Sequence, residues 1–255
     1  MTETEFKQLA QEGYNRIPLV AEAFADLETP LSLYLKLAHV QNNGERSFLL
    51  ESVVGGERFG RYSFIGLPAR TLLRASGFGD AAKTEVVTDG VVVETHAGNP
   101  LDFVADYQKR FKVALRQGLP RFCGGLAGYF GYDTVRHIEK KLVHSCPPDD
   151  LGMPDILLLQ TEELAVIDNL SGKLSLIVYA DPAQPNAYAQ AQARLAELKQ
   201  RLKAPAQAPS IAPCASHPAE RSFAKDDYLA AVLRAKDLIA AGDFMQVQVG
   251  QRIHK

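Results

Sequence analysis

An α+β fold, with mostly antiparallel sheets and helices packed on them in two layers round one core, is what this 255-residue sequence predicts. Three observations carry that expectation. β-Prone runs arrive in hairpin-like pairs and seldom alternate with helices, which disfavours a parallel doubly wound sheet. Thr29-Pro30 and Asn99-Pro100 each place a side-chain cap just before a proline suited to a first helical turn. From Ala187 the apolar period becomes three and four, at Tyr188, Ala191, Leu195, Leu198 and Leu202, the signature of an amphipathic helix laid over a sheet.

In chain order, residues 3–12 form a short amphipathic helix, and Thr29-Pro30 starts a helix to about Ala38. Strands follow over 47–54, 62–67 and 71–75. Glu85 to Glu94 reads as a hairpin with Asp89-Gly90 at its turn. Asn99-Pro100 starts a helix to about Val113. Residues 124–133 form a strand whose glycines let another backbone or a ring approach closely; their spacing is not that of a dinucleotide site. Strand runs cover 156–168 and 173–180, joined through Asn169 to Gly172. Residues 203–221, with Pro205, Pro209, Pro213 and Pro218, are rich in Ala and Pro and read as a linker. Beyond it, Asp227 to Ala241 has helical spacing and stops at Gly242, and Phe244 to Ile253 alternates like a strand. One helix and one strand are too little to bury a core, so this last part belongs to something larger.

The composition is that of an ordinary soluble globular chain, at 46% hydrophobic and 23% charged residues. A net charge of −2, with both signs interspersed, favours neither nucleic acid nor an anionic membrane. No apolar stretch approaches the roughly 20 residues of a membrane span. The N-terminus lacks the basic start and apolar core of a signal peptide, so a cytoplasmic location is expected. Cys123, Cys146 and Cys214 are odd in number and far apart, as reduced thiols would be. His144-Ser145-Cys146 has no second ligand pair to make a zinc site. No metal-ligating, hydrolase-nucleophile or phosphate-loop motif is present.

Residues 49–67 are the most informative stretch. An apolar run ends in Leu50, Glu51 and Ser52; Gly55-Gly56 follows; Arg58 and Arg61 precede a second β-prone run from Tyr62. A carboxylate at the inner end of an apolar strand is costly to bury unless it is paired. Glu51 suits an ammonium group, Ser52 a hydrogen bond, and Arg58 or Arg61 a carboxylate. Together they suit a small zwitterion such as an amino acid. They equally suit an ordinary hairpin whose Glu and Arg pair on the surface.

This segment resembles the tryptophan-binding segment of anthranilate synthase component I. Asn15 to Pro18, Leu27 to Leu37, Gly124 to Asp133, Asp155 to Leu158 and Ala241 to Val247 are also similar to that family, so the likeness runs from about residue 14 to the end. The resemblance implies an N-terminal, tryptophan-binding regulatory part over 1–203, the linker over 204–222, and the truncated start of a chorismate-binding catalytic domain over 223–255. It implies a parent lyase of tryptophan biosynthesis that makes anthranilate and pyruvate from chorismate. Ammonia comes from a glutamine amidotransferase partner, component II, and L-tryptophan inhibits by feedback. The inhibitor-binding residues it implies are Ser52, Glu51, Leu50 and, more weakly, Arg61. Mg²⁺ is the implied cofactor. Its ligands and the catalytic groups are expected in the missing half, so no catalytic or metal residue falls on this chain, which alone is expected to be inactive. Gln246 is read as a structural residue of the first catalytic-domain strand. Gln248, Gly250 and Ala224 depart from the family pattern; Ala224 replaces a Ser or Thr helix cap at a cost of about 1 kcal/mol. The alternatives are aminodeoxychorismate synthase component I, and an amino-acid-binding or subunit-interaction module without catalysis.

Overall fold

A computed structural model of the chain describes residues 1–39, 45–52, 60–149, 151–210 and 217–255. The Gly55-Gly56 turn, Arg58, Pro213, Cys214 and the last two residues of the strand expected over 47–54 lie outside the described residues. The chain divides into two compact units, Met1–Ala208 and Pro209–Lys255, a division that falls within the Ala/Pro-rich stretch.

The first unit contains two five-stranded sheets, antiparallel throughout. One runs in the order β1 (Ile17–Phe24), β10 (Lys173–Ala180), β9 (Glu163–Asp168), β3 (Tyr62–Gly66), β2 (Phe48–Leu50). The other runs β6 (Val91–Ala97), β5 (Lys83–Thr88), β4 (Thr71–Ser76), β8 (Ile156–Thr161), β7 (Gly125–Phe130). The α+β expectation therefore holds.

Helices cover the sheets where the apolar period placed them. On one face of the first sheet, Phe6 of α1 (Glu3–Gln11), Leu33 of α2 (Pro30–Tyr34) and Ala191, Leu195 and Leu198 of α4 (Ala187–Leu202) bury against Leu19, Ile65, Leu174 and Leu176. Arg194 also ties α4 to the start of β9 through Glu163, Nη2 to Oε2 at 2.7 Å. Phe103, Val104 and Tyr107 of α3 (Pro100–Gln108) cover Leu73, Val86, Ile156 and Leu158 of the second sheet. A third cluster joins Leu164, Val166 and Ile177, on the other face of the first sheet, to Cys123, Phe64 and Phe122. β9 is thus packed on both faces, which explains its unbroken apolar Leu-Ala-Val-Ile run. The single core expected from the sequence is three clusters: one under the helices of each sheet and a third, with no helix residue in it, on the other face of the first sheet.

Local signals held where no distant partner competes. Thr29 accepts from the Ser32 backbone and Ser32 answers to the Thr29 backbone, a reciprocal cap; α2 then continues as a π-helical turn over Leu35–His39. The Asn99 side chain accepts from Leu101 N at 3.0 Å. Asp89 and Gly90 both have positive φ, 50° and 85°, the mirror-image turn that suits hairpin twist. At the glycine-rich strand, a Cβ on Gly128 would collide with the Leu157 carbonyl and one on Gly124 would meet the Tyr179 ring at 2.5 Å.

Three elements differ from expectation. The 156–168 run is two strands in different sheets, because Glu162 turns out of the ladder to Arg16 and Gln160, at 2.8 and 2.9 Å. α3 ends at Gln108 rather than near Val113. There the Lys112 carbonyl accepts from Asn15 N and Arg16 N, at 3.0 and 3.3 Å, drawing the chain to the foot of β1.

In the second unit, the strand expected over 244–253 is reduced to β12 (Ile253–His254), paired with β11 (Glu220–Arg221). An isolated strand leaves its backbone groups unpaired, and the Tyr228 hydroxyl instead donates to the Val249 carbonyl at 3.0 Å. α5 (Lys225–Ala241) starts after Ala224 without a side-chain cap and stops at Gly242, φ 87°. None of its described residues is buried.

Candidate functional site

β2 and β3 pair with Leu49 opposite Ile65 and Leu50 opposite Phe64. Leu49 faces the helix-covered core, whereas Leu50 is exposed at 55%. Glu51 is exposed and Ser52 half-buried just beyond the strand end. Among the described residues the Glu51 carboxylate and the Ser52 hydroxyl meet no hydrogen-bond or ion-pair partner, so two adjacent polar groups remain available.

Ser52 is nevertheless held in place. Its backbone N–H donates to the Ser63 hydroxyl at 3.3 Å, and Ser63 is fully buried. The Asn169 side-chain amide donates to the same hydroxyl at 3.2 Å and to the Gly60 carbonyl at 3.1 Å. The Asn169 backbone N–H donates to the Arg61 carbonyl at 2.7 Å. A Cβ on Gly60 would overlap the Ser52 Oγ, so the Ser52 side chain occupies room that only glycine leaves. One asparagine in the β9–β10 turn and one buried serine thus fix both ends of the segment between Ser52 and Gly60.

Arg61 stands nearby but is committed elsewhere. Its Nη2 lies 3.1 Å from Asp168 Oδ2, and its guanidinium covers the Tyr62 ring at 4.9 Å. Of the surface pairs considered from sequence, Arg61 pairs with Asp168 instead of Glu51, and Arg58 lies outside the described residues. The Arg61 hydrogen bond is the main cause holding the Asp168 carboxyl below its ordinary 3.8. A carboxylate lowered on folding adds stability that is complete above the unfolded value and lost as pH falls through the folded one. This contribution accordingly disappears below about pH 4. In Arg61→Gln, the Asp168 titration followed by carbon NMR is expected to move up toward the ordinary value; an unmoved midpoint would mean that the pair is not formed in solution.

The sequence reading names Leu50, Glu51 and Ser52, which the structure places at and just beyond the end of β2. It missed Gly60, Ser63, Asn169 and Asp168 as their supports. The only available signal was an Asn in a turn between two strands. It also missed Phe122, whose ring packs edge-on against Phe64 at 5.6 Å and lies 6.4 Å from Phe48, bracing the β2–β3 pair from outside. Among the described residues no three His, Cys, Asp or Glu side chains gather to hold a metal, and no helix is long and apolar enough to cross a membrane.

These elements fall within a known class of protein. A model of the chorismate binding enzyme family matches residues 63–255, and the chain belongs to that family. Within it, the sequence is similar to anthranilate synthase component 1 of Neisseria meningitidis serogroup B, 49% identical over 99% of this chain and 50% of that protein. It is likewise similar to that of Pseudomonas putida, 50% identical over 99% of this chain and 51% of the other. The chain spans about half the length of the curated relatives it matches. The crystal structure of anthranilate synthase component I from Streptococcus pneumoniae shares the fold, with a TM-score of 0.54 at 23% identity over 86% of this chain and 45% of that one. The family match begins in β3, well upstream of residue 223, where the sequence reading starts the chorismate-binding part.

Proposed function

We propose that this chain is the inhibitor-binding part of an anthranilate synthase component I together with the opening of its chorismate-binding domain. The observation that carries the reading is near-50% identity to proteins of that name across almost the whole chain. The parent enzyme would join ammonia, supplied by a glutamine amidotransferase partner, to chorismate with loss of the ring hydroxyl as water, and release pyruvate, leaving anthranilate. It would act in tryptophan biosynthesis, in the cytoplasm.

L-Tryptophan is assigned to the end of β2. Its ammonium group would meet the free Glu51 carboxylate and the Ser52 hydroxyl, and Leu50 would offer exposed apolar surface. Arg61 is a weaker contact for the ligand carboxylate, because it would have to release Asp168. The bound inhibitor would disfavour the active arrangement of the enzyme, so tryptophan and chorismate would each weaken the other's binding by the same factor. Among the described residues no three His, Cys, Asp or Glu side chains gather where a Mg²⁺ ion could be held. The ligands of that ion and the catalytic groups are assigned to the part of the relatives' length that this chain does not span. The isolated chain is therefore expected to turn over no chorismate.

The test is the product made by the full-length protein with ammonia and chorismate. Anthranilate with equimolar pyruvate supports the reading. An aminodeoxychorismate that keeps its enolpyruvyl group would place the protein with the folate-pathway relative instead.

A further inference from the structure

Where Arg16 bridges toward the second sheet, the first unit contains a cavity of about 290 Å³. That is at the small end of ligand-sized pockets, which begin near 300 Å³. Phe111, Leu115, Leu126 and Tyr179 supply much of an apolar wall. Three charged residues line it: Arg16, Glu162 and Arg121. Arg16 is shared between two carboxylates, Nε to Glu162 Oε1 at 2.8 Å and Nη1 to Asp181 Oδ2 at 3.1 Å. The Arg16 guanidinium also lies 4.9 Å over the Phe111 ring and donates to the Asn15 carbonyl. Gln160 is used as well, accepting from the Tyr107 hydroxyl at 2.6 Å and donating to Glu162 at 2.9 Å. The Tyr179 hydroxyl donates to the Cys123 sulfur at 3.4 Å.

Arg121 is the exception. It is exposed, and among the described residues its guanidinium has no hydrogen-bond or ion-pair partner. A small apolar cavity lined by one unbalanced, forked cation selects a ligand with an apolar body and a planar anionic head. Guanidinium and carboxylate match as two parallel hydrogen bonds. We infer that this cavity is a second binding site, for a small ring-bearing monocarboxylate. The ring would lie against Phe111 and Leu126 and the carboxylate on Arg121. The site is independent of the amino-acid site assigned to Glu51 and Ser52, with which it shares none of the residues named.

Benzoate is the probe, titrated into the chain and followed by saturation-transfer NMR, with benzamide as the uncharged control of the same shape. Saturable benzoate binding is expected, at least tenfold tighter than benzamide. Arg121→Gln, at an exposed position that leaves the wall intact, should weaken benzoate tenfold or more. Arg121→Lys should retain part of the binding, and Ser52→Ala should leave it unchanged. The inference is overturned by absent saturation, by equal affinity for benzamide, by unchanged binding in Arg121→Gln, or by loss in Ser52→Ala.

Discussion

Gly60→Ala in the full-length protein is expected to raise the L-tryptophan concentration needed for half-inhibition by about tenfold or more, with turnover in the absence of tryptophan unchanged. The added Cβ would overlap the Ser52 Oγ, so the serine must leave its position even though its own identity is intact. A hydrogen bond to a charged partner is worth about 1.5–3 kcal/mol, and about 1.4 kcal/mol is tenfold in affinity. Ser52→Ala should give a similar loss. The double substitution should fall well short of the sum, because both changes remove one interaction. Inhibition curves for the three variants decide the matter. Unchanged inhibition in Ser52→Ala would remove that residue from the site.

Leu176→Ala should destabilise the first unit by roughly 2–5 kcal/mol, the range for truncating a buried leucine. Leu176 is fully buried and sits in β10 opposite both Ala21 of β1 and Ala165 of β9. The two alanines have little volume with which to close the void. For a unit of this size the thermal midpoint should fall by roughly 4–20 °C. Leu170→Ala, at an 80% exposed position in the neighbouring turn, should change stability by less than about 0.5 kcal/mol. Thermal denaturation of the two variants side by side checks both expectations, and similar midpoints would contradict the assignment of the core.

The part of this fold that was legible in sequence is the part fixed by neighbours along the chain. Thr29 and Asn99 cap helices because their side chains need only a backbone N–H two or three residues on. Asp89-Gly90 turns because of its own φ preference. The apolar face of α4 lies on the sheet because a stripe spaced at three and four has nowhere else to bury. What was not legible depends on long-range partners. The 156–168 run breaks at Glu162, within the polar Gln160-Thr161-Glu162-Glu163 stretch, because Arg16, 146 residues away, holds its carboxylate. α3 stops early because the Asn15 side chain takes the Lys112 backbone N–H, at 2.7 Å, that a continuing helix would turn on the Gln108 carbonyl.

The site divides in the same way. Glu51 and Ser52 stand out because a carboxylate and a hydroxyl ending an apolar strand are chemically conspicuous. The occupation of Arg61 by Asp168, 107 residues distant, carries no local signal. Nor does the packing of Ser52 over Gly60, across a segment whose length alone says nothing about how its ends meet.

The most direct measurement uses the absence of tryptophan from this sequence. With the chain titrated into L-tryptophan, indole fluorescence anisotropy reports the ligand almost alone. A saturable rise, absent with D-tryptophan, not reversed by L-phenylalanine and weakened in Ser52→Ala, is the predicted result. No saturable rise, or an equal rise with D-tryptophan, would contradict the placement of the inhibitor at Glu51 and Ser52.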